Sequence, residues 1–347
     1  LRQRERAGMA LKFIERLKLI RSEIRETLRG VVQARDVMEE FKKEFRQTTG
    51  ELRQELREAI EQLQRAQPSG GPATWTPPGH FYSPIVDPAE ITRRHAQIFN
   101  HGRRPSNIDF RDEAQLALLR KMKEHFAKLP FQATETEGLR YYYDNPFFTY
   151  GDGIVLACML MEFKPRRIVE VGSGFSSCVT MDVNDLFLGG TTEITFVEPF
   201  PTILNTLIRP EDRERYRIVA SPVQDIDLSM IDSLQAGDVL FIDSTHVTKC
   251  GSDVNFEFFT ILPRLASGVL IHFHDMFYPF EYPEVWVVND NRSWNELYLM
   301  NAFLANNNEY EIVFFNDFMY REHRAATAAA LPLFPKNAGG SLWLRKR

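Results

Sequence analysis

The spacing of apolar residues changes once along the chain, near residue 67. Before that point Leu17, Ile24, Val31, Met38, Phe45, Leu52 and Ala59 recur at intervals of seven. A second row, Ile14, Leu28, Leu56 and Leu63, accompanies them, broken by Arg21, Arg35, Lys42 and Thr49 and partly filled by Ile20 and Phe41. A seven-residue apolar repeat with charged flanks predicts one long helix over residues 1–66 that forms a coiled coil. Gly30 and Gly50 weaken it locally. The alternative is a helical stalk that packs on its own domain. Gln67-Pro68-Ser69-Gly70-Gly71-Pro72 and Pro77-Pro78-Gly79 then end the helix, because proline removes amide donors and glycine adds backbone freedom, which makes 67–79 a linker. Residues 80–150 read as a mixed, partly helical N-terminal extension that caps the substrate. Its helix spans 113–128, with Leu116, Leu119, Met122 and Phe126 on one face. From residue 151 to 347 strand-like runs at 167–171, 194–198, 216–220, 239–243, 269–273, 311–315 and 341–345 alternate with helical stretches at 176–188, 203–208, 254–265 and 294–306. That alternation predicts an α/β domain with a largely parallel sheet covered on both faces.

Composition adds exclusions. The chain has 347 residues, 44% hydrophobic and 26% charged, as in ordinary globular proteins. Residues 1–66 hold 16 Lys+Arg against 12 Asp+Glu, and the remainder 26 against 35. The basic residues of the first part alternate with glutamate rather than cluster, so a nucleic-acid arm is not expected. The longest apolar run, Ile154 to Met161, is too short for the ~20 residues of a membrane span. No signal-peptide core follows a basic start. Cys158, Cys178 and Cys250 are far apart, which predicts three reduced thiols and a cytoplasmic setting.

The chemistry concentrates at three places. Ile168-Val169-Glu170-Val171-Gly172-Ser173-Gly174-Phe175-Ser176-Ser177 reads as a buried strand, a glycine turn and a helix start, where a nucleotide can approach the backbone. Glu198, closing the next strand, is placed to accept hydrogen bonds from ribose hydroxyls. Glu170, two residues before the first glycine, would repel a pyrophosphate but attract a cationic methionine portion, directly or through water. The other two places are Asp243-Ser244-Thr245-His246 and Ile271-His272-Phe273-His274-Asp275, at the ends of two strands. There His246 titrates near neutrality and is the first choice for a general base, and His272 reads as structural. Asp253 suits a helix N-cap. The aromatic run Tyr141-Tyr142-Tyr143 with Phe147-Phe148 is either packing surface or a wall over a pocket. The aromatic stretch 276–283 reads as a lip for the acceptor.

The pattern Glu-x-Gly-x-Gly at 170–174, with Glu198, resembles motif I and the ribose-binding acid of class I S-adenosylmethionine-dependent methyltransferases, in a branch similar to the macrocin and catechol O-methyltransferase types. The resemblance covers about residues 147–347. It implies a Rossmann-like seven-stranded sheet whose last two strands are antiparallel. It also implies S-adenosylmethionine held by Glu170, Gly172, Ser173, Gly174, Glu198, Gln224, Asp225 and Asp243, with Gln224 and Asp225 near the adenine. In metal-dependent relatives acids corresponding to Asp243 and to the pair His274-Asp275 bind magnesium. With histidine as the first of that pair, three alternatives stay open: a divalent metal (Mg, Mn or Zn) at Asp243, His274 and Asp275, a metal without His274 as ligand, or no metal; the catalytic set that the resemblance implies is His246, Asp243 and His274. The implied reaction is O-methylation of a small-molecule or glycan hydroxyl in a homo-oligomer joined through residues 1–66. The competing expectation is a coiled-coil scaffold that carries an inactive nucleotide fold.

Overall fold

The computed structural model describes residues 75–100, 102 and 104–347. The expected coiled coil and the start of the linker lie outside the described residues. Residues 76–347 form one compact unit.

Seven strands build its sheet in the order β3-β2-β1-β4-β5-β7-β6. They are β1 (Arg167–Val171), β2 (Glu193–Val197), β3 (Arg217–Val219), β4 (Val239–Ile242), β5 (Leu270–Phe273), β6 (Tyr310–Phe315) and β7 (Leu342–Lys346). β1 to β5 run parallel, and β7 inserts antiparallel between β5 and β6. The central strands β4 and β5 are buried at every position, so they read as short apolar runs rather than as alternations.

Five helical segments position the site: α1 (Asp112–Phe126), α2 (Tyr150–Phe163), α3 (Phe175–Phe187), α4 (Asp253–Phe256, running on through Glu257–Ile261 and Leu262–Arg264) and α5 (Glu296–Leu304). Helix α2 has no counterpart among the sequence expectations. It is apolar on nearly every side and buried from Tyr150 to Met161, so it shows no amphipathic period to read. The helices Asn316–Glu322 and Arg324–Ala330 between β6 and β7 were likewise not expected.

The extension at 80–150 is part of the same body. Its α1 turns Leu118, Leu119 and Met122 inward, and Gln115 on that helix accepts a bond from the Phe315 amide at the end of β6 (2.8 Å). Farther along, Arg140 is buried among Asp182, Asp185 and Asp212, with ion pairs of 2.8, 2.9 and 2.5 Å. Three carboxylates and a two-sided guanidinium satisfy one another there, which ties the segment to α3. Within the aromatic run Tyr141, Tyr143 and Phe148 are core residues, whereas Phe147 is exposed.

The ladder continues one residue past the parallel strands. The amide of Gly172 bonds the Val197 carbonyl (3.0 Å), Glu198 bonds Val219 (3.0 Å), Asp243 bonds Val171 (2.8 Å) and His274 bonds Ile242 (2.9 Å). These four bonds bring Gly172, Glu198, Asp243 and His274 to one level beyond the carboxyl ends of β1, β2, β4 and β5.

Candidate active site

At that level two adjoining cavities open, of about 440 and 210 Å³. Gly172, Glu198 and Asp243 line both. Gly172 has a φ of +79°, and a Cβ at this position would overlap the Asp243 carbonyl oxygen. Glycine is thus required twice, by the turn and by the close approach of two strand ends. Ser173 and Gly174 line the smaller cavity, and the Ser173 hydroxyl is buried with no hydrogen-bond partner. Glu198 accepts bonds from the amides of Ser173 (3.3 Å) and Phe200 (2.8 Å), which fix its carboxylate against the cavity wall. Gln224 lines the larger cavity and donates to the Gly251 carbonyl (3.0 Å).

Two expected residues are placed elsewhere. Asp225 is exposed and does not line either cavity. Glu170 is fully buried beneath the first turn of α3, where its Oε1 accepts from the hydroxyls of Ser176 and Ser177 (both 2.7 Å), and it too lines neither cavity. Burial pushes its carboxyl up to about 8 despite those two bonds. Asp253 also differs from expectation. Ser252 is the N-cap of α4, and Asp253 instead accepts from the amide (3.0 Å) and hydroxyl (2.7 Å) of Thr245.

His246, which itself lines neither cavity, stands between three carboxylates. Its Nε2 is 3.4 Å from Asp243 Oδ1 and 3.6 Å from Asp275 Oδ2, and its Nδ1 is 2.9 Å from Glu296 Oε2. The ring and Glu296 are both buried. Burial by itself would lower the imidazole pKa, but the bonds and charges of Asp243 and Glu296 outweigh it and hold it well above the ordinary value. Asp243 is pushed up by burial and pulled down further by His274 and His246, so it stays below the usual carboxylate range.

His274 is buried next to Phe148 (ring centroids 5.1 Å) and 3.7 Å from Asp275 Oδ1. Desolvation disfavours its charge, yet Asp243, Asp275 and Asp152 together raise its pKa. His272 lies flat on Phe241 (3.9 Å), with neither nitrogen bonded and its pKa held well below the ordinary value by burial. It is a packing residue.

Sequence reasoning missed three participants. Glu296 and Trp294, whose ring is 4.5 Å from that of His246, sit about fifty residues downstream at the start of a helix and had no local motif to mark them. Asp152 is buried in the first turn of α2, where it accepts from Ser341 Oγ (2.6 Å) and Asn316 Nδ2 (3.3 Å) and is pushed by burial up to about 6. The expected acceptor lip divides in two. Tyr278 and Phe280 pack into the core against Phe110, while Phe277 and Tyr282 join Trp286 and Trp294 in an aromatic wall on the His246 side.

A family described as "Methyltransferase domain" matches residues 169–276, from β1 through the turn after β5. A protein of Archaeoglobus fulgidus described as uncharacterized is 35% identical over 167 residues, which is 46% of this chain and 73% of that protein. Residues 169–276 of this chain are a methyltransferase domain. Similar solved structures include the Podospora anserina methyltransferase PaMTH1 bound to S-adenosylhomocysteine (14% identity, TM-score 0.36, covering 80% of this chain and 100% of that one). The O-methyltransferase TomG of Streptomyces achromogenes in complex with S-adenosylmethionine is another (13% identity, TM-score 0.35, covering 74% and 96%).

For an S-adenosylmethionine-dependent methyltransferase the two joined cavities suit the cofactor. They combine a glycine turn, an anchored carboxylate at Glu198 and the buried, unpartnered Ser173 hydroxyl. The expected metal centre does not fit. Among the described residues no group of three or more His, Cys, Asp or Glu side chains is arranged to hold a metal ion. Between the two acids lies His246 Nε2, 3.4 Å from Asp243 and 3.6 Å from Asp275. Among the described residues no helix is long and apolar enough to cross a membrane.

Proposed function

We propose that this methyltransferase methylates a hydroxyl of a small-molecule or glycan acceptor, with His246 as the general base. The observation that carries this reading is the position of His246 Nε2, 3.4 Å from an Asp243 that lines both cavities, with Nδ1 tied behind it to Glu296. S-adenosylmethionine supplies an electrophilic methyl group on a positively charged sulfur. Gly172, Ser173, Gly174 and Glu198 would hold it in the joined cavities, with Gln224 toward the larger one. His246 Nε2 would take the hydroxyl proton as the acceptor oxygen receives the methyl group. Trp294, Trp286 and Phe277 supply apolar faces beside the base for the acceptor.

The raised pKa of His246 has a consequence for rate. The neutral ring is the competent form, so turnover rises with pH above neutrality. A cationic ligand beside Asp243 lowers that pKa by like-charge repulsion and brings the base toward readiness.

Calorimetry with S-adenosylmethionine, and release of S-adenosylhomocysteine with a panel of phenols and glycosides, test the reading. We expect binding, turnover unaffected by chelators, and a His246→Asn variant that keeps cofactor affinity within about twofold while turnover falls ~10²–10⁴-fold. Binding of NAD in place of S-adenosylmethionine would overturn the function. Full turnover in the variant would overturn the base.

A further inference from the structure

We infer that Glu296 is the positioning residue of the site: it orients His246 and fixes the ring with its proton on Nδ1 and its lone pair on Nε2. The inference rests on the proposed role of His246 as base and adds how that base is built.

Residues 294–296 grip His246 in three ways. Trp294 packs against the ring at 4.5 Å. The amides of Asn295 and Glu296, which open α5, both donate to the His246 carbonyl (3.1 and 3.2 Å). First-turn amides of a helix have no partner within it, so His246 satisfies donors that would otherwise go unpaired. Finally the Glu296 carboxylate meets Nδ1 at 2.9 Å, with both side chains buried. One residue earlier, Asn295 Oδ1 accepts from the Thr248 hydroxyl (2.6 Å), which closes the same loop onto the same helix start.

This grip answers a local difficulty. His246 has a φ of +60°, a conformation that side-chain-bearing residues seldom adopt without outside support. With the backbone held there, the ring can still rotate or exchange tautomers, and an acceptor-only carboxylate at Nδ1 removes that freedom. All three neighbouring carboxylates are acceptors, but only Glu296 is at hydrogen-bonding distance and geometry (2.9 Å at Nδ1, against 3.4 and 3.6 Å at Nε2), so the Nδ1–H tautomer is selected and Nε2 is left to accept the proton of an acceptor hydroxyl. Asp243 and Asp275 flank Nε2 at 3.4 and 3.6 Å and stabilise the imidazolium that forms.

The test is nitrogen NMR on the full chain labelled in histidine, with the His246 signal assigned through His246→Asn. Spectra are recorded at a pH above its titration. The neutral ring of the wild type should carry its proton on Nδ1. In Glu296→Gln the amide can donate to Nδ1, so the proton moves toward Nε2. Turnover should fall ~10²–10⁴-fold with cofactor affinity unchanged, because a wrong tautomer removes the base without disturbing the cavities. Glu296→Asp should restore part of the Nδ1–H population and part of the rate. A wild-type ring protonated on Nε2 would overturn the inference whatever the variants do, as would a Glu296→Gln tautomer equal to wild type. Failure of the proposed function would show differently, as turnover retained in His246→Asn.

Discussion

Gly172 and His246 both take a positive φ, +79° and +60°, at the ends of adjacent strands, and they are built by opposite means. At Gly172 the residue itself supplies the freedom, and the requirement is written in the local sequence as a turn between a strand and a helix. At His246 the residue type resists the conformation, and the hold comes from Trp294, Asn295 and Glu296 on another element. The proposed cofactor side of the site is therefore a property of one short segment, whereas the proposed base is a property of a contact between two distant ones. A substitution on the first side acts through the backbone. On the second it acts through the partner.

Three substitutions sharpen that contrast, from the largest expected effect on cofactor affinity to the smallest. Gly172→Ala drives a Cβ into the Asp243 carbonyl and strains the turn. Calorimetry should show S-adenosylmethionine binding weakened at least ~100-fold, about 2.7 kcal/mol, with a lowered melting temperature. Near-normal affinity would mean that the two strand ends can part without loss. Glu198→Gln keeps the shape but removes the charge and leaves one acceptor oxygen where two receive the Ser173 and Phe200 amides separately. Loss of charge-assisted bonds to ligand hydroxyls should weaken binding about tenfold, and unchanged affinity would remove Glu198 from the ligand contacts.

Glu170→Gln should leave cofactor affinity within about twofold, because the side chain supports α3 from below rather than lining a cavity. A clear drop in affinity would restore the direct or water-mediated contact expected from the sequence. Its effect is on stability. The folded pKa of about 8 lies above the ordinary unfolded value of ~4.3. The stability that comes from a protonated Glu170 is therefore fully present below the unfolded pKa and is lost as pH rises toward 8, at about 1.4 kcal/mol for each unit between the two values. Thermal melts at pH 5 and pH 8 should show the wild type losing more stability than the variant.

The same division explains what the sequence made legible. All seven strands lie within a residue or two of their expected places, because buried apolar runs bounded by turns announce themselves. The glycine turn, Glu198, Gln224 and Asp243 were legible as a local grammar of strand ends, and the structure gathers them at two joined cavities. His246 stood out by its chemistry. Helix α2 was hidden by its uniform apolarity, which erases the period that marks a half-exposed helix. Glu296 and Asp152 were hidden because their meaning is tertiary, an acid in a helix's first turn being ordinary until its partner is known. The inward turn of Glu170 was not legible either: the strand pleat buries its side chain away from the cavities.

The sheet order carries one more consequence. β7 is the last strand in chain order, yet it lies in the interior of the sheet, between β5 and β6. During synthesis β1 to β5 can pair as they emerge, since each finds a neighbour already made. The far side of β5, which leads into His274 and Asp275, has to wait for residues some seventy positions later. The amide of Met276, just past that turn, bonds the Gly340 carbonyl immediately before β7 (2.7 Å). A nascent chain paused before residue 340 would thus carry a formed glycine turn beside an unfinished edge at His274 and Asp275, and the two sides of the site come into being at different times.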